Sequence, residues 1–209
     1  PNNELVNING QLIIFGKPDS DDTFGWDNEY GHDEITIDNF SASKYLVSNQ
    51  EYLVFVEANG YQQEQFWTAE GQQWLAFTQA KMPRFWQEKA DANGNKAFYQ
   101  RNLLNEMPLP LNWPVEVNYL EAKAFCNWKN ESVNVGDIRL PTEGEWLCLR
   151  DQLTGDLVDW QNALGNINLA VYASSCPVDK FEQADGLYDI VGNVWQWTES
   201  SIDGFQGFE

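Results

Sequence analysis

Regular hydrophobic periodicity in this chain is confined to three short stretches, each opened by a helix-capping signature. Ser48-Asn49-Gln50-Glu51 has the S-x-x-E form of a capping box and precedes Tyr52, Phe55 and Val56 on one helical face before Asn59-Gly60 stops it. Asn118-Tyr119-Leu120-Glu121 leads into Ala122, Phe125, Cys126 and Trp128, and Thr142-Glu143-Gly144-Glu145 leads into Trp146, Leu149 and Arg150. Short alternating segments, Gln11 to Phe15 and Ile35 to Phe40, read as half-buried strands. The tract from Tyr61 to Trp113 shows little regular period, and the last third is turn-rich. A chain with so few long elements buries its core through side chains held by loops, and it carries 10 Trp, 8 Tyr and 12 Phe for that purpose. The fold class expected is α+β, irregular, with few short helices and short antiparallel strands.

The 209 residues suit a single domain. Twelve basic residues against 32 acidic ones give a net charge of −20, which argues against nucleic acid and anionic membrane surfaces as partners. No stretch approaches the roughly 20 apolar residues of a membrane span. Three cysteines without a CxxC pair, Cys126, Cys148 and Cys176, do not make a disulfide framework or a zinc knuckle. Free thiols inside apolar helical stretches are expected to behave as small buried hydrophobes in a reducing, cytoplasmic setting.

The chain has one histidine, His32, in the loop-like stretch Gly31-His32-Asp33. A two-histidine iron site, a three-histidine zinc site and an HExxH helix are therefore beyond this chain alone. Asp91-Ala92-Asn93-Gly94-Asn95 has oxygen ligands at EF-hand spacing, but Lys96 and Asn102 occupy positions that need Gly and Glu, so a hairpin turn at Asn93-Gly94 is expected. Glu143 and Glu145 read as first-turn caps, and Trp113, Trp128, Trp146, Trp195 and Trp197 as core. Trp26-Asp27-Asn28-Glu29 has two readings: Trp26, Asp27 and Asn28 face a substrate cleft, or Asp27 and Asn28 cap a tight turn.

Three ordered motifs carry a resemblance that periodicity does not supply. PVEVNYLEAKAFCNWKN (Pro114 to Asn130), RLPTEGEWLCLR (Arg139 to Arg150) and GLYDIVGNVWQWTES (Gly186 to Ser200) resemble successive signatures of the formylglycine-generating enzyme (sulfatase-modifying factor) superfamily. The resemblance implies that superfamily's variant of the C-type lectin fold. FGWDNEYGHDEITID, EYLVFVEANGYQQEQFWTAEGQQWL, MPRFW and LPLNWPVEVNYLEAKAFCNWK further resemble the nonheme-iron sulfoxide synthases, closest to the ovothiol-type 5-histidylcysteine branch. In that family an N-terminal helical bundle supplies three histidines to Fe(II), and the formylglycine-type domain completes the cleft in which cysteine and histidine are joined with O₂.

On that resemblance residues 1–209 form one such domain, truncated at its C-terminus and lacking the iron-binding bundle as its partner. No catalytic residue carries over. The superfamily's Cu(I) cysteine pair has no counterpart in Cys126, Cys148 or Cys176. One metal site is implied by position, a structural Ca²⁺ held by Asp189, the carbonyls of Gly192 and Val194, and Gln196. Gln196 stands where the family has Glu, which removes one negative charge. Alternative readings are a formylglycine-generating oxidase and a non-catalytic lectin-like binding module.

Overall fold

The computed structural model describes residues 2–91, 93–133, 136–154, 165–167, 171–184, 186–202 and 205. Strands β1 (Leu5–Ile8), β2 (Leu12–Phe15), β3 (Asp33–Thr36) and β4 (Phe40–Ser43) come first, followed by helices α1 (Asn49–Glu57) and α2 (Ala69–Thr78). Strands β5 (Trp86–Ala90), β6 (Lys96–Arg101) and β7 (Glu106–Pro108) precede α3 (Tyr119–Val133) and α4 (Glu143–Thr154), and β8 (Glu182–Ala184) and β9 (Leu187–Tyr188) close the order. The strands form four small antiparallel sheets, β1-β4, β2-β3, β5-β6-β7 and β8-β9. The expected α+β class with short elements is the one observed.

The run Ile35 to Phe40 is two strands rather than one. At Asp38-Asn39 the chain leaves β2 and turns to pair with β1, and Asn39 Oδ1 accepts the Gly10 backbone N–H at 2.9 Å. All four residues of β3 are exposed, so its alternation does not report burial. The aperiodic tract also holds a helix, α2, capped by Thr68, whose hydroxyl accepts the Gly71 N–H at 3.1 Å. Gly71 is the buried residue of that helix, and it occupies the position where a capping box has Glu, so neither signal is visible in the sequence. The Asn93-Gly94 turn does join β5 to β6, with Gly94 at φ +82° and Asp91 Oδ1 accepting the N–H groups of Asn93 and Asn95.

The principal core is aromatic. Tyr52 and Phe55 of α1 meet Tyr61, Phe66, Trp67, Trp86 and Phe125, with Tyr52 and Phe125 stacked at 5.2 Å and Phe55 edge-on to Tyr52 at 5.4 Å. Gly60 permits this packing, since a Cβ there would lie 2.0 Å from the Phe55 ring. Two smaller clusters join β2 to α4 through Ile13, Leu147 and Cys148, and β1 to β9 through Ile8, Leu187 and Ile190.

The three expected caps differ in completeness. Ser48 Oγ accepts the Glu51 N–H, but the Glu51 carboxylate turns away to Asn3 and Lys129. The Asn118/Glu121 and Thr142/Glu145 boxes are reciprocal. Glu145 also takes a bidentate pair from Arg139 at 2.7 and 2.8 Å, which holds its carboxyl below the usual range.

Candidate functional site

Three segments surround an open cleft of about 1300 Å³. One wall is the stretch from Ala80 to Trp86 that enters β5, the second is Val115 to Asn118 with Glu121 at the start of α3, and the third is the loop Asn193 to Trp197 with Asn166, Tyr172, Ser174 and Ser175.

The second wall is fixed from below. The α1 N-terminus donates the Asn49 and Gln50 N–H groups to the carbonyls of Trp113 and Leu111, both at 2.8 Å, and Val115 N–H donates to Val47 O at 2.9 Å. Glu121 is 3% exposed; it caps α3 and accepts the Tyr61 hydroxyl, while Tyr52 OH reaches the Glu121 carbonyl at 3.3 Å. Burial pushes the Glu121 carboxyl up from its ordinary value, and the bonds from Tyr61 and Asn118 oppose that rise. Glu116, also on this wall, is raised by burial.

The third wall is held by Asn193, which sits in the left-handed region at φ +61°. Its Oδ1 accepts the Cys176 N–H at 2.9 Å, and its Nδ2 donates to Cys176 O at 3.1 Å and to Asp189 Oδ2 at 2.8 Å. Gly192, at φ +94°, lets the loop close on Asn166 and Ile167; a Cβ there would stand 2.8 Å from Ile167 Cγ1. Trp197 Nε1 donates to Val117 O at 2.9 Å, Glu199 N–H donates to Pro141 O at 2.7 Å, and Lys123 pairs with Glu199. The two walls are thereby tied together at one end.

Asp189 is fully buried at φ +50°, and its Oδ1 has no hydrogen-bond partner among the described residues. Burial raises its carboxyl from 3.8 to about 6, with the Asp179 charge adding to the rise and the Asn193 bond opposing it. Gln196 Nε2 donates to the carbonyls of Asp189 and Ile190, at 2.8 and 3.1 Å, and Gly192 O accepts the Val194 N–H at 2.8 Å. The four residues implied for calcium are thus brought together in one loop. Of their polar groups, the Asp189 carboxylate offers a buried oxygen that nothing satisfies, whereas Gly192 and Gln196 are engaged within the loop.

Trp26, Asp27 and Asn28 lie outside the residues lining the cleft. Asp27–Glu29 is an exposed 3₁₀ turn in which Asp27 Oδ1 accepts the Asn28 N–H and the Glu29 carboxylate accepts the Trp26 N–H. The Trp26 ring packs edge-on against Phe24, 5.2 Å away. His32 is an exposed loop residue whose ring meets Glu34 at 3.1 Å.

The expectation that all five singled-out tryptophans are core is corrected for two of them. Trp195 is fully exposed and Trp197 is 49% exposed, both on the cleft. Neither belongs to a core cluster among the described residues, and along the V-W-Q-W-T run they alternate with less exposed neighbours. Trp113, Trp128 and Trp146 are half-buried. Arg84, Phe85 and Glu116 at the cleft were not singled out by motif, although a lone Arg inside the apolar run MPRFW is a signal of a presented cation.

Cys126 and Cys148 are buried and unpaired, as expected of thiols in apolar helices, and Cys176, outside any helix, is buried and unpaired as well. Burial pushes the Cys126 and Cys176 thiols up to about 11 and also raises Cys148. Thiol reagents at pH 8 are accordingly expected to label none of the three in the native chain within minutes, and all three after unfolding. Rapid stoichiometric labelling of the native protein contradicts this burial.

Among the described residues no helix is long and apolar enough to cross a membrane. A family model for the sulfatase-modifying factor enzyme 1-like domain matches residues 1–206. The chain is 26% identical over 208 residues to the hercynine oxygenase of Mycolicibacterium thermoresistibile, covering 94% of this chain and 43% of that protein. It is 27% identical over 215 residues to the formylglycine-generating enzyme of Mus musculus, covering 88% and 55%, and 27% identical over 233 residues to the inactive C-alpha-formylglycine-generating enzyme 2 of Mus musculus, covering 94% and 68%. PvdO from Pseudomonas aeruginosa shares the fold, with a TM-score of 0.55 at 17% identity over 92% of this chain and 69% of that one. The chain thus spans less than half of the hercynine oxygenase it matches. With motifs, fold and family model in agreement over nearly its whole length, the chain belongs to the sulfatase-modifying factor enzyme 1-like (formylglycine-generating enzyme) domain family.

Proposed function

We propose that this chain is the cleft-forming domain of a nonheme-iron sulfoxide synthase of the ovothiol type, which joins cysteine to histidine with O₂ in the cytoplasm. The observation that carries the reading is a substrate-sized aromatic cleft whose described walls include neither His32 nor a cysteine. Among the described residues no three His, Cys, Asp or Glu side chains gather as a metal site, so this chain does not fit Fe(II) by itself. Iron supplies the O₂ chemistry when an enzyme of this kind holds it; a helical-bundle partner domain would provide its ligands. The part left to this chain is to bind and orient the small substrates and to shed water from the aromatic walls.

The similarity to hercynine oxygenases supports this reading. A formylglycine-generating oxidase is the second reading, supported by the similarity to enzymes of that name. None of Cys126, Cys148 and Cys176 matches the cysteine pair that the oxidase uses for copper, so that reading needs a pair outside these residues. Purified chain is expected to retain no iron after Fe(II) loading and to consume no O₂ with cysteine and histidine. Stoichiometric iron with turnover would sink the proposed division of labour. Sequencing the coding region beyond Pro1 and Glu209 separates the readings: an HxxxHxE helix upstream supports the sulfoxide synthase, and a downstream cysteine pair supports the oxidase.

Calcium belongs to the same proposal. The unsatisfied Asp189 oxygen gives a hard cation one anionic ligand, and Gly192 and Val194 offer carbonyls. Gln196 joins them only if its amide turns to present oxygen in place of Nε2.

A further inference from the structure

Most cations of this acidic chain are spoken for. Lys17, Lys89, Lys96, Lys123, Lys129, Arg139 and Arg150 each pair with a carboxylate. Arg84 pairs with nothing among the described residues, and among those that line the cleft it is the sole cation. With 32 carboxylates in the chain, a guanidinium left unpaired beside an aromatic cleft is available to an incoming anion.

Its backbone is held firmly. Pro83 is fully buried, Trp86 is 5% exposed, and Trp86 N–H donates to Pro83 O at 2.9 Å, closing a turn with Arg84 and Phe85 at its tip. Arg101 N–H donates to Phe85 O at 2.8 Å and fastens that tip to the end of β6. Arg84 itself remains exposed, as does much of the Phe85 ring.

On the second wall of the cleft stands Glu116. Glu121, the other carboxylate of the cleft, is committed to Tyr61 and to the α3 cap. Glu116 has no hydrogen bond and no ion pair among the described residues, and burial penalises its charge. Arg84 and Glu116 do not satisfy each other, since the pair is absent among ion pairs within 4 Å. Both charges line one cleft and neither is paired within the described residues, which leaves both available to a ligand that carries both signs.

We infer that Arg84 and Glu116 form the head-group subsite of this cleft and take a free α-amino acid, its carboxylate on the Arg84 guanidinium and its ammonium on the Glu116 carboxylate. The exposed faces of Phe85, Trp195 and Trp197 then receive the side chain of the ligand. The assignment rests on reading this cleft as the substrate site. It distinguishes a free amino acid from a residue within a peptide, whose amides carry neither charge.

The test is a set of titrations of the 209-residue chain, followed by intrinsic tryptophan fluorescence and by calorimetry. The probes are L-histidine, histamine, Nα-acetyl-L-histidine and imidazole. L-Histidine is expected to bind at millimolar concentration or below, with histamine and the acetyl derivative each weaker by about tenfold or more, since each lacks one charge-assisted contact. Arg84→Ala should weaken L-histidine by the factor that histamine shows and leave histamine itself unchanged, with Arg84→Lys falling between. Glu116→Gln should do the same for the ammonium, leaving the acetyl derivative unchanged. Arg84 is exposed and Glu116 makes no hydrogen bond or ion pair among the described residues, so neither variant should lower the melting temperature.

If imidazole binds as tightly as L-histidine, or if the variants bind L-histidine like the wild type, the subsite is overturned while the cleft stands as a binding site. If none of the probes binds, the subsite and the substrate reading of the cleft fall together.

Discussion

Replacing Asn193 with alanine is expected to destabilise the protein by about 3–5 kcal/mol. One amide satisfies both backbone groups of Cys176 and one oxygen of the buried Asp189 carboxylate. Alanine would leave these groups buried and unpaired, each at a cost of about 1–3 kcal/mol. It also tolerates φ +61° less well than asparagine, whose short polar side chain stabilises the left-handed region. The loss should fall on the cleft first, because Asn193 joins Asn166 and Cys176 to the Asp189–Trp197 loop. Urea unfolding measures the total, and tryptophan fluorescence reports on the exposed Trp195 and Trp197. A loss below about 1 kcal/mol would mean that water replaces the amide at little cost, and that the loop is held elsewhere.

The second large effect is a pH dependence at Asp189. Its carboxyl lies at about 6 in the folded chain against a reference of 3.8. Between those values the folded state keeps a proton that the unfolded chain has shed, so stability falls as pH rises from about 4 to about 6 and stays lower above that. A shift of this size corresponds to about 3 kcal/mol. In the presence of a chelator, Asp189→Asn should remove this slope and exceed the wild type in stability at pH 7, since asparagine carries no charge and accepts φ +50° readily. Calcium, if the proposed site binds it, acts in the opposite sense: it favours the carboxylate, so it should stabilise the wild type above pH 6 and leave Asp189→Asn unaffected. Denaturation midpoints from pH 4 to 8, with and without calcium, read both effects. A wild type that gains stability across that range without calcium would overturn the burial argument.

The helices were legible where capping and periodicity coincide. Ser48, Asn118 and Thr142 each open the helix their motif implies, while α2 was hidden because its cap lacks the acidic partner and its buried position is a glycine. The Asn93-Gly94 hairpin was legible because a left-handed glycine leaves a chemical signature in the sequence. The exposure of Trp195 and Trp197 was not legible. An aromatic run reads as core unless one knows how little apolar surface lies beneath it, and that depends on contacts distant in sequence. The subsite residues Arg84 and Glu116 escaped notice for a related reason. What sets them apart is the lack of a partner inside the cleft, a property that appears only in the folded chain.

The bond from Trp197 to Val117 spans 80 residues, and the cleft exists only when that bond and its neighbours at Pro141 and Lys123 have closed. The aromatic core closes a loop of similar length, from Tyr52 to Phe125, but offsets that cost with a cluster of buried rings. The loop-closure entropy of the cleft is therefore added to a nucleus that forms without it, which makes the cleft late to assemble and early to open. Amide exchange should divide the molecule accordingly, with slow protons in α1 and α3 and faster ones in the Asp189–Trp197 loop. A ligand that bridges the two walls would then slow exchange in the loop while leaving the core protons as they were, so that occupancy registers as a local kinetic brake on opening.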